Sequence, residues 1–259
     1  MERIIAGGLF AFVIFVGMLV FLELGLRRGQ HRLAIDPTGA REGLGPIDGA
    51  VFALLGLLLA FSFSGAASRF DVRRELIVEE ANDIGTAWLR IDLLPPDSRP
   101  AMKEAFRRYL DMRLEGYRAM PDVDRALEIL RRANGIQGEI WSLATDAVGK
   151  PGASPSAPML LLPALNAMFD ITTTRSAAAR THPPMVIYAL LAISAWVSAL
   201  LAGYGMAGGK YRSWLHTIGF AAITAAAVYV IVDLEYPRLG ALQVGEFDEI
   251  LVDVRRAMD

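Results

Sequence analysis

The chain has 259 residues, a hydrophobic fraction of 54% and a formal net charge of -2. The charge balance lacks the basic footprint of a nucleic-acid-binding protein, so we expect no nucleic-acid partner. The absence of cysteine excludes disulfides, a thiol nucleophile and thiolate metal sites in this chain, and its three histidines have no partner at metal-ligand helical spacing. No catalytic constellation is apparent, so we expect neither an enzyme nor a metal or cofactor site.

Four apolar runs, two towards each end of the chain, are each long enough to cross a bilayer. They occupy residues 4–26, 49–67, 185–207 and 214–232, and the last three contain no Asp, Glu, Lys or Arg. A spanning helix needs roughly 20 apolar residues, and lipid forces it to satisfy its own backbone hydrogen bonds. The first run is longer than the apolar core of a signal peptide, and its arginine cluster follows it, so we expect it to remain in the mature protein. The sequence therefore predicts an all-α protein with four transmembrane helices.

The end of the first span carries its ionisable residue, Glu23, four positions before Arg27. This spacing favours a local ion pair, with both side chains reaching towards the interface. Residues 27–46 contain Pro37 and several glycines, which predicts a loop between the first two spans. Asp48 directly precedes the second span, and we predict that it caps the amino terminus of this helix.

The second span is the most patterned element. At 100° per residue its small side chains form one stripe and its large apolar side chains form a neighbouring one. Small residues allow close helix contact in a membrane, so one interpretation is that this stripe packs inside the bundle. The other is that the large residues line a hydrophobic constriction in a symmetric oligomer. The small stripe is Gly49, Ala53, Gly56, Ala60 and Ser64, and the candidate constriction, or neck, is Leu55, Leu59 and Phe63.

Helical periodicity continues past the second span, and nothing interrupts it before Pro95. We therefore predict one long helix over residues 48–93. Its polar part carries Glu75, Glu79 and Asp83 at a spacing of four. These carboxylates fit a vestibule or an ion site, although exposed charges with i,i+4 partners give the same pattern.

The remaining polar middle also has helical patterning. Helices are predicted over about 97–120, 123–148 and 159–180, with Asp122 as a cap and a loop at 149–158 that is rich in Pro, Gly and Ser. The expected organisation is therefore spans one and two (1–68), an extramembrane helical region (69–182), spans three and four (183–233) and a short amphipathic segment (234–259).

Three features near the end of the chain complete the pattern. Spans three and four meet at a predicted hairpin over residues 208–212. Gly203, Gly205 and Gly208 match the spacing of a dinucleotide fingerprint but follow no strand, so we regard the match as accidental. Asp233 and Glu235 follow span four, where they fit either a cation site or an acidic pair that simply stays hydrated.

Three segments resemble the marker segments of a large, mostly bacterial family, the bestrophin-like domain of unknown function. They are residues 54–94, residues 162–183 (LPALNAMFDITTTRSAAARTHP) and residues 233–244 (DLEYPRLGALQV). The family is distantly similar to bestrophins, which are pentameric anion channels with four spans, a long helical region between spans two and three, and a pore lined by span two.

The resemblance implies a homo-oligomer, a pentamer by analogy, that passes a small inorganic ion through a neck at Leu55, Leu59 and Phe63. It also implies a bacterial inner-membrane protein whose helical region is cytoplasmic, whereas Arg3 and the arginines after span one favour an external amino terminus. The long acidic carboxyl-terminal region that supplies the calcium clasp of animal bestrophins has no counterpart here, so calcium activation is not implied. The alternative is a non-conducting scaffold or sensor whose helical region binds a partner protein.

Overall fold

The computed structural model describes residues 2–37, 44–209, 214–242 and 244–259. Within these ranges the chain is helical and contains no strand, as predicted. Its α-helices are α1 (Glu2–Ile35), α2 (Gly45–Arg90), α3 (Arg99–Arg118), α4 (Val123–Val148), α5 (Ala157–Arg180), α6 (Met185–Gly205), α7 (Trp214–Glu235) and α8 (Asp248–Arg256).

Four helical stretches are long and apolar enough to cross a membrane: Gly7–Ile35, Gly45–Leu93, Ala157–Gly208 and Trp214–Glu235. The four predicted apolar runs lie in α1, α2, α6 and α7, so the expectation of four membrane-type helices is confirmed. Where the bilayer begins and ends along each helix stays a prediction.

The chain divides into two compact units. The first, Met1–Ser68 with His182–Tyr236, contains α1, the start of α2, α6 and α7, and the second, Arg69–Thr181 with Pro237–Asp259, contains the rest. This division reflects compactness and not the position of a bilayer. The predicted boundaries at residues 68, 182 and 233 therefore stay predictions.

The first unit is organised around close contact between α1 and α6. A methyl group added at Gly25 would overlap the Leu200 carbonyl oxygen, and one added at Gly203 would overlap the Leu22 carbonyl oxygen. Backbone atoms cannot move aside as side chains can, so both glycines are required for this approach. Gly203 is therefore accounted for by helix packing, and its match to a dinucleotide fingerprint has no further meaning.

Large side chains fill the remaining space in the first unit. Ile14 and Met18 of α1 are fully buried, and α7 supplies Val228 to the same core. The Phe52 ring of α2 meets the Phe220 ring of α7 edge to face, at a centroid distance of 6.3 Å. An aromatic pair thus joins the start of α2 to α7.

The loop predicted over residues 27–46 is wrong in its first part, because α1 continues as helix to Ile35. No proline interrupts the chain before Pro37, and Gly29 lets the extension lie against the end of α6, where an added methyl would be 2.5 Å from the Ala207 Cβ. The predicted ion pair is confirmed, since the Arg27 Nε lies 2.8 Å from a Glu23 carboxylate oxygen. Residues 38–43 and most of the predicted hairpin, 210–212, lie outside the described residues.

The cap predicted at Asp48 is also wrong. α2 begins at Gly45, so Asp48 lies inside the first turn. Its carboxylate there still complements the helix dipole, because the unpaired N–H groups of a first turn favour negative charge.

The second unit has one hydrophobic core, built from the distal half of α2, from α3 to α5 and from the carboxyl-terminal segment. Phe106 and Tyr109 of α3 are fully buried within it. Asp122 caps α4 as predicted, since its side chain accepts a hydrogen bond of 3.1 Å from the Arg125 N–H. The loop predicted to end at residue 158 ends earlier, because α5 starts at Ala157 with Pro158 in its first turn, where the missing donor costs nothing.

The amphipathic carboxyl-terminal segment is helical as expected and packs on this core. Leu251 of α8 is fully buried, and Phe247, Ile250 and Val254 lie partly buried against the same cluster. These four residues thus form the apolar face of the amphipathic segment, and this face contacts the core of the second unit.

Candidate functional site

Of the four membrane-type helices, α2 is the least covered by the rest of the chain. Within its most apolar window 11% of the residues are buried, compared with 28% to 33% in the other three. An apolar helix face left open by its own chain is available to lipid or to another copy of the protein. This makes the part of α2 in the first unit, residues 45–68, the first candidate for a functional surface.

The small-residue stripe lies on this open surface. Its five residues, Gly49, Ala53, Gly56, Ala60 and Ser64, are all exposed. Methyl groups added at Gly49 or Gly56 would have open space around them, with no atom of another described residue in contact. These residues therefore do not pack inside the bundle of a single chain, and their role in helix packing stays a prediction that requires a partner outside it.

The candidate neck residues differ in exposure. Leu55 is 4% exposed and belongs to the core of the first unit, Leu59 is partly buried against that core, and Phe63 is 48% exposed. In one chain, therefore, Phe63 offers the largest free surface and Leu55 almost none. Their common role in a constriction stays a prediction.

In the second unit α2 carries the three carboxylates predicted for a vestibule. Glu75 and Glu79 are exposed and Asp83 is half-buried. Among the residues that the structure describes, none of the three forms an ion pair, so the explanation by i,i+4 partners does not account for them. Burial raises the pKa of the Asp83 carboxyl, and the negative charge of Glu79 raises it further.

The next carboxylate on the helix, Glu80, faces the other way and is fully buried. The Arg113 Nε donates to one of its oxygens at 2.7 Å, and the Tyr117 hydroxyl donates to the other at 3.1 Å. The Arg175 guanidinium also contacts the second oxygen. One buried and one largely buried guanidinium group thus share one carboxylate, and this cluster links α2, α3 and α5.

A second ion pair extends this cluster to the carboxyl-terminal segment. Arg238 makes a two-bond contact with Asp248, at 2.8 and 2.9 Å, and its guanidinium lies 4.6 Å from the centre of the Tyr117 ring. Burial lowers the pKa of Arg175 to about 9, an effect to which the charge of Arg238 adds, so Arg175 is still charged at neutral pH.

Sequence reasoning did not identify this network. One signal in the sequence was a charged residue, Arg113, on the otherwise apolar stripe of α3, which predicts a buried partner because an unpaired buried charge is costly. Glu80 carried a similar signal, since it lies beside Ile77 and Ala81 on the buried face of α2.

The acidic pair at the end of α7 is not hydrated, so that interpretation is wrong. Asp233 and Glu235 are both buried. A Glu235 carboxylate oxygen lies 3.4 Å from the His182 Nδ1, and the His182 ring packs against Tyr236 at a centroid distance of 4.6 Å. The residues that the structure describes include no group of three or more His, Asp or Glu side chains arranged to hold a metal ion.

Comparison with known proteins identifies the family. The sequence matches the Bestrophin-like domain over residues 10–246, nearly its whole length, so the chain belongs to the bestrophin-like family. No match is found among curated proteins.

The fold is similar to that of solved bestrophin homologues. One is a single-residue variant of a bacterial bestrophin homologue from Klebsiella pneumoniae, with a TM-score of 0.71 and 14% identity, covering 96% of this chain and 97% of the other. A second variant of a bestrophin homologue from the same organism gives a TM-score of 0.70 and 15% identity, covering 95% of this chain and 99% of the other. At this level of identity the likeness establishes a bestrophin fold, and the resemblance seen in the sequence is confirmed.

Proposed function

We propose that the protein is an ion channel or pore assembled from several copies of the chain, with α2 lining the path of the ion. The observation that carries the proposal is the open apolar face of α2 in a chain with a bestrophin fold. Bestrophins place their second span around the pore. The least covered helix of this chain is the one that the analogy requires to be open.

The neck of this pore is assigned to Leu55, Leu59 and Phe63. An apolar ring restricts ion passage because a narrow hydrophobic passage tends to lose its water. Phe63 offers the largest surface for such a ring, and the burial of Leu55 makes its contribution the smallest.

The carboxylates of Glu75, Glu79 and Asp83 are assigned to a vestibule. Rings of carboxylates attract cations, so a vestibule of this kind favours cations over anions. The selectivity of bestrophins as a class points the other way, towards anions. The identity of the ion must therefore be established by measuring the flux of an anion and of a cation.

The small-residue stripe is assigned to contact between copies, because a methyl group added at Gly49 or Gly56 would have open space around it among the described residues. The assembly is a homo-oligomer, a pentamer by analogy, in the bacterial inner membrane with the helical region in the cytoplasm. No metal or cofactor is part of this proposal.

Ion flux into liposomes tests it. Purified protein is reconstituted, and chloride and potassium fluxes are measured separately against empty vesicles. Phe63→Ala should change the flux, whereas Phe61→Ala should not, because Phe61 is also exposed (68%, against 48% for Phe63) but projects from roughly the opposite side of α2. Absence of flux from a folded oligomer would overturn the proposal and favour the scaffold or sensor.

A further inference from the structure

A basic cavity lies at the end of α1. It has a volume of about 470 Å³, is open to the surface, and is lined by Arg27, Arg28, His31, Arg32 and Tyr204. Its size is within the range of small-molecule sites, which is roughly 300 to 1,000 Å³. Neither the neck nor the vestibule includes any of these residues.

The cavity exists because α1 continues beyond its apolar run. The helical extension to Ile35 brings four basic side chains into two turns, and Gly29 allows the end of α6 to approach closely. A methyl group added at Gly29 would lie 2.8 Å from the Tyr204 carbonyl oxygen. This contact places Tyr204 beside the arginines, so the lining comes from two helices of the same unit.

The wall of the cavity is mostly apolar, and three of the five side chains that line it end in guanidinium groups. Arg27 uses its Nε for the 2.8 Å contact with Glu23, and its side chain is otherwise largely exposed. Among the residues that the structure describes, Arg28 and Arg32 form no ion pair. Asp36, the next acidic residue along the chain, does not line the cavity. Among the described residues, the lining thus includes three arginines and no carboxylate.

The position of the cavity points to lipid. Val20, Leu24, Arg28 and Arg32 recur every four residues and are all exposed, so one open stripe of α1 changes from apolar to basic along its length. An acyl chain fits the apolar part of such a stripe, and an anionic headgroup fits the basic part. Arginine and tyrosine are common at the level of lipid headgroups, and basic pockets between membrane helices bind phosphate-containing headgroups.

We propose that this cavity binds the phosphate of an anionic phospholipid, with Arg28 and Arg32 as the principal ligands. The guanidinium fork donates two parallel hydrogen bonds to phosphate oxygens. Tyr204 lines the same cavity. The inference is independent of ion conduction, because a protein that conducts nothing would bind the same lipid.

Native mass spectrometry of the detergent-purified full chain tests this assignment. The protein is titrated separately with dioleoyl phosphatidylglycerol, with dioleoyl phosphatidylcholine and with inorganic phosphate. The double variant Arg28→Gln/Arg32→Gln is compared with Arg131→Gln/Arg132→Gln, which removes the same charge from exposed arginines of α4. Elution in size-exclusion chromatography checks that each variant is folded.

Phosphatidylglycerol should bind at least tenfold more tightly than phosphatidylcholine. Each arginine near a headgroup contributes about 1 kcal/mol, or about fivefold, so the double glutamine variant should lose roughly 25-fold and the α4 variant should lose almost nothing. Arg28→Lys/Arg32→Lys keeps the charge but replaces each two-bond fork by a single ammonium group, so it should bind phosphatidylglycerol several-fold more weakly than the parent and still prefer it to phosphatidylcholine. If the glutamine variant fails to fold, a lysine variant that binds the two lipids equally would overturn the proposal.

Three results would overturn the proposal. Equal binding of phosphatidylglycerol and phosphatidylcholine would show that the phosphate-bearing anionic headgroup is not selected. Inorganic phosphate that binds as tightly as the lipid would identify free phosphate as the ligand. An equal loss in the two glutamine variants would show only a general effect of net charge.

Discussion

Replacing Glu80 by glutamine tests whether the buried charge cluster holds the second unit together. The substitution preserves the shape of the side chain but removes its charge. The guanidinium groups of Arg113 and Arg175, both nearly inaccessible to solvent, then lose the one carboxylate that they share. Breaking a buried ion pair by removing one partner costs about 3 to 5 kcal/mol, because the remaining charge is left without compensation.

A matched control is available on the same helix. Glu79 is adjacent in sequence, exposed and without an ion pair among the described residues, so Glu79→Gln should change stability by no more than about 0.5 kcal/mol. Thermal unfolding of detergent-purified protein, followed by circular dichroism, compares the two. A loss of 3 kcal/mol corresponds to a fall in Tm of roughly 10 °C.

The reasoning would be refuted if Glu80→Gln unfolded within about 2 °C of the parent, a shift that corresponds to less than 1 kcal/mol. It would also be refuted if Glu79→Gln lost as much stability. The first result would mean that the arginines find other acceptors or water, and the second would mean that charge on this helix matters irrespective of burial.

Three further predictions concern packing, protonation and capping. Gly203→Ala should reduce the yield and Tm of the protein because the methyl overlaps backbone, while Gly56→Ala, with open space around it, should leave the folding of the single chain intact; both are measured by size-exclusion chromatography after heating. Asp83→Asn should unfold at a higher temperature than the parent at pH 7 and at the same temperature at pH 3. Because folding raises the pKa of the Asp83 carboxyl, the protein loses stability as the pH rises from the ordinary value of 3.8 through the pKa of the folded state. Calorimetry at both pH values measures the difference in Tm between the variant and the parent. Asp122→Ala should cost about 0.5 to 2 kcal/mol, measured by chemical denaturation, because the first turn of α4 loses its acceptor.

Much of the fold follows from the sequence because its signals are local. Charge-free apolar runs of about 20 residues admit few alternatives to membrane helices. Asp122 was predictable as a cap because it directly follows Pro121 and precedes an amphipathic pattern. The face of α8 around Leu251 was visible as a periodic arrangement of apolar residues.

The candidate site was less predictable because it depends on partners distant in sequence. Gly25 and Gly203 belong to two helices that are far apart in sequence, whereas the small-residue stripe on α2 is exposed in the part of the chain that the structure describes. Glu80 and Arg175 are 95 positions apart, and only the fold brings them together. The extension of α1 is stabilised by contact with the end of α6, which the local sequence around Gly29 does not reveal.

Single-channel recording from a cysteine variant tests the central claim, conduction along α2, most directly. The chain contains no cysteine, so Phe63→Cys introduces the one reactive thiol of the protein. Reaction with a charged thiol reagent should change the unitary current of Phe63→Cys and leave Phe61→Cys unchanged, because in the proposed pore only residue 63 would face the path of the ion. Channels that open normally and respond equally at both positions, or at neither, would contradict a pore lined by this face of α2.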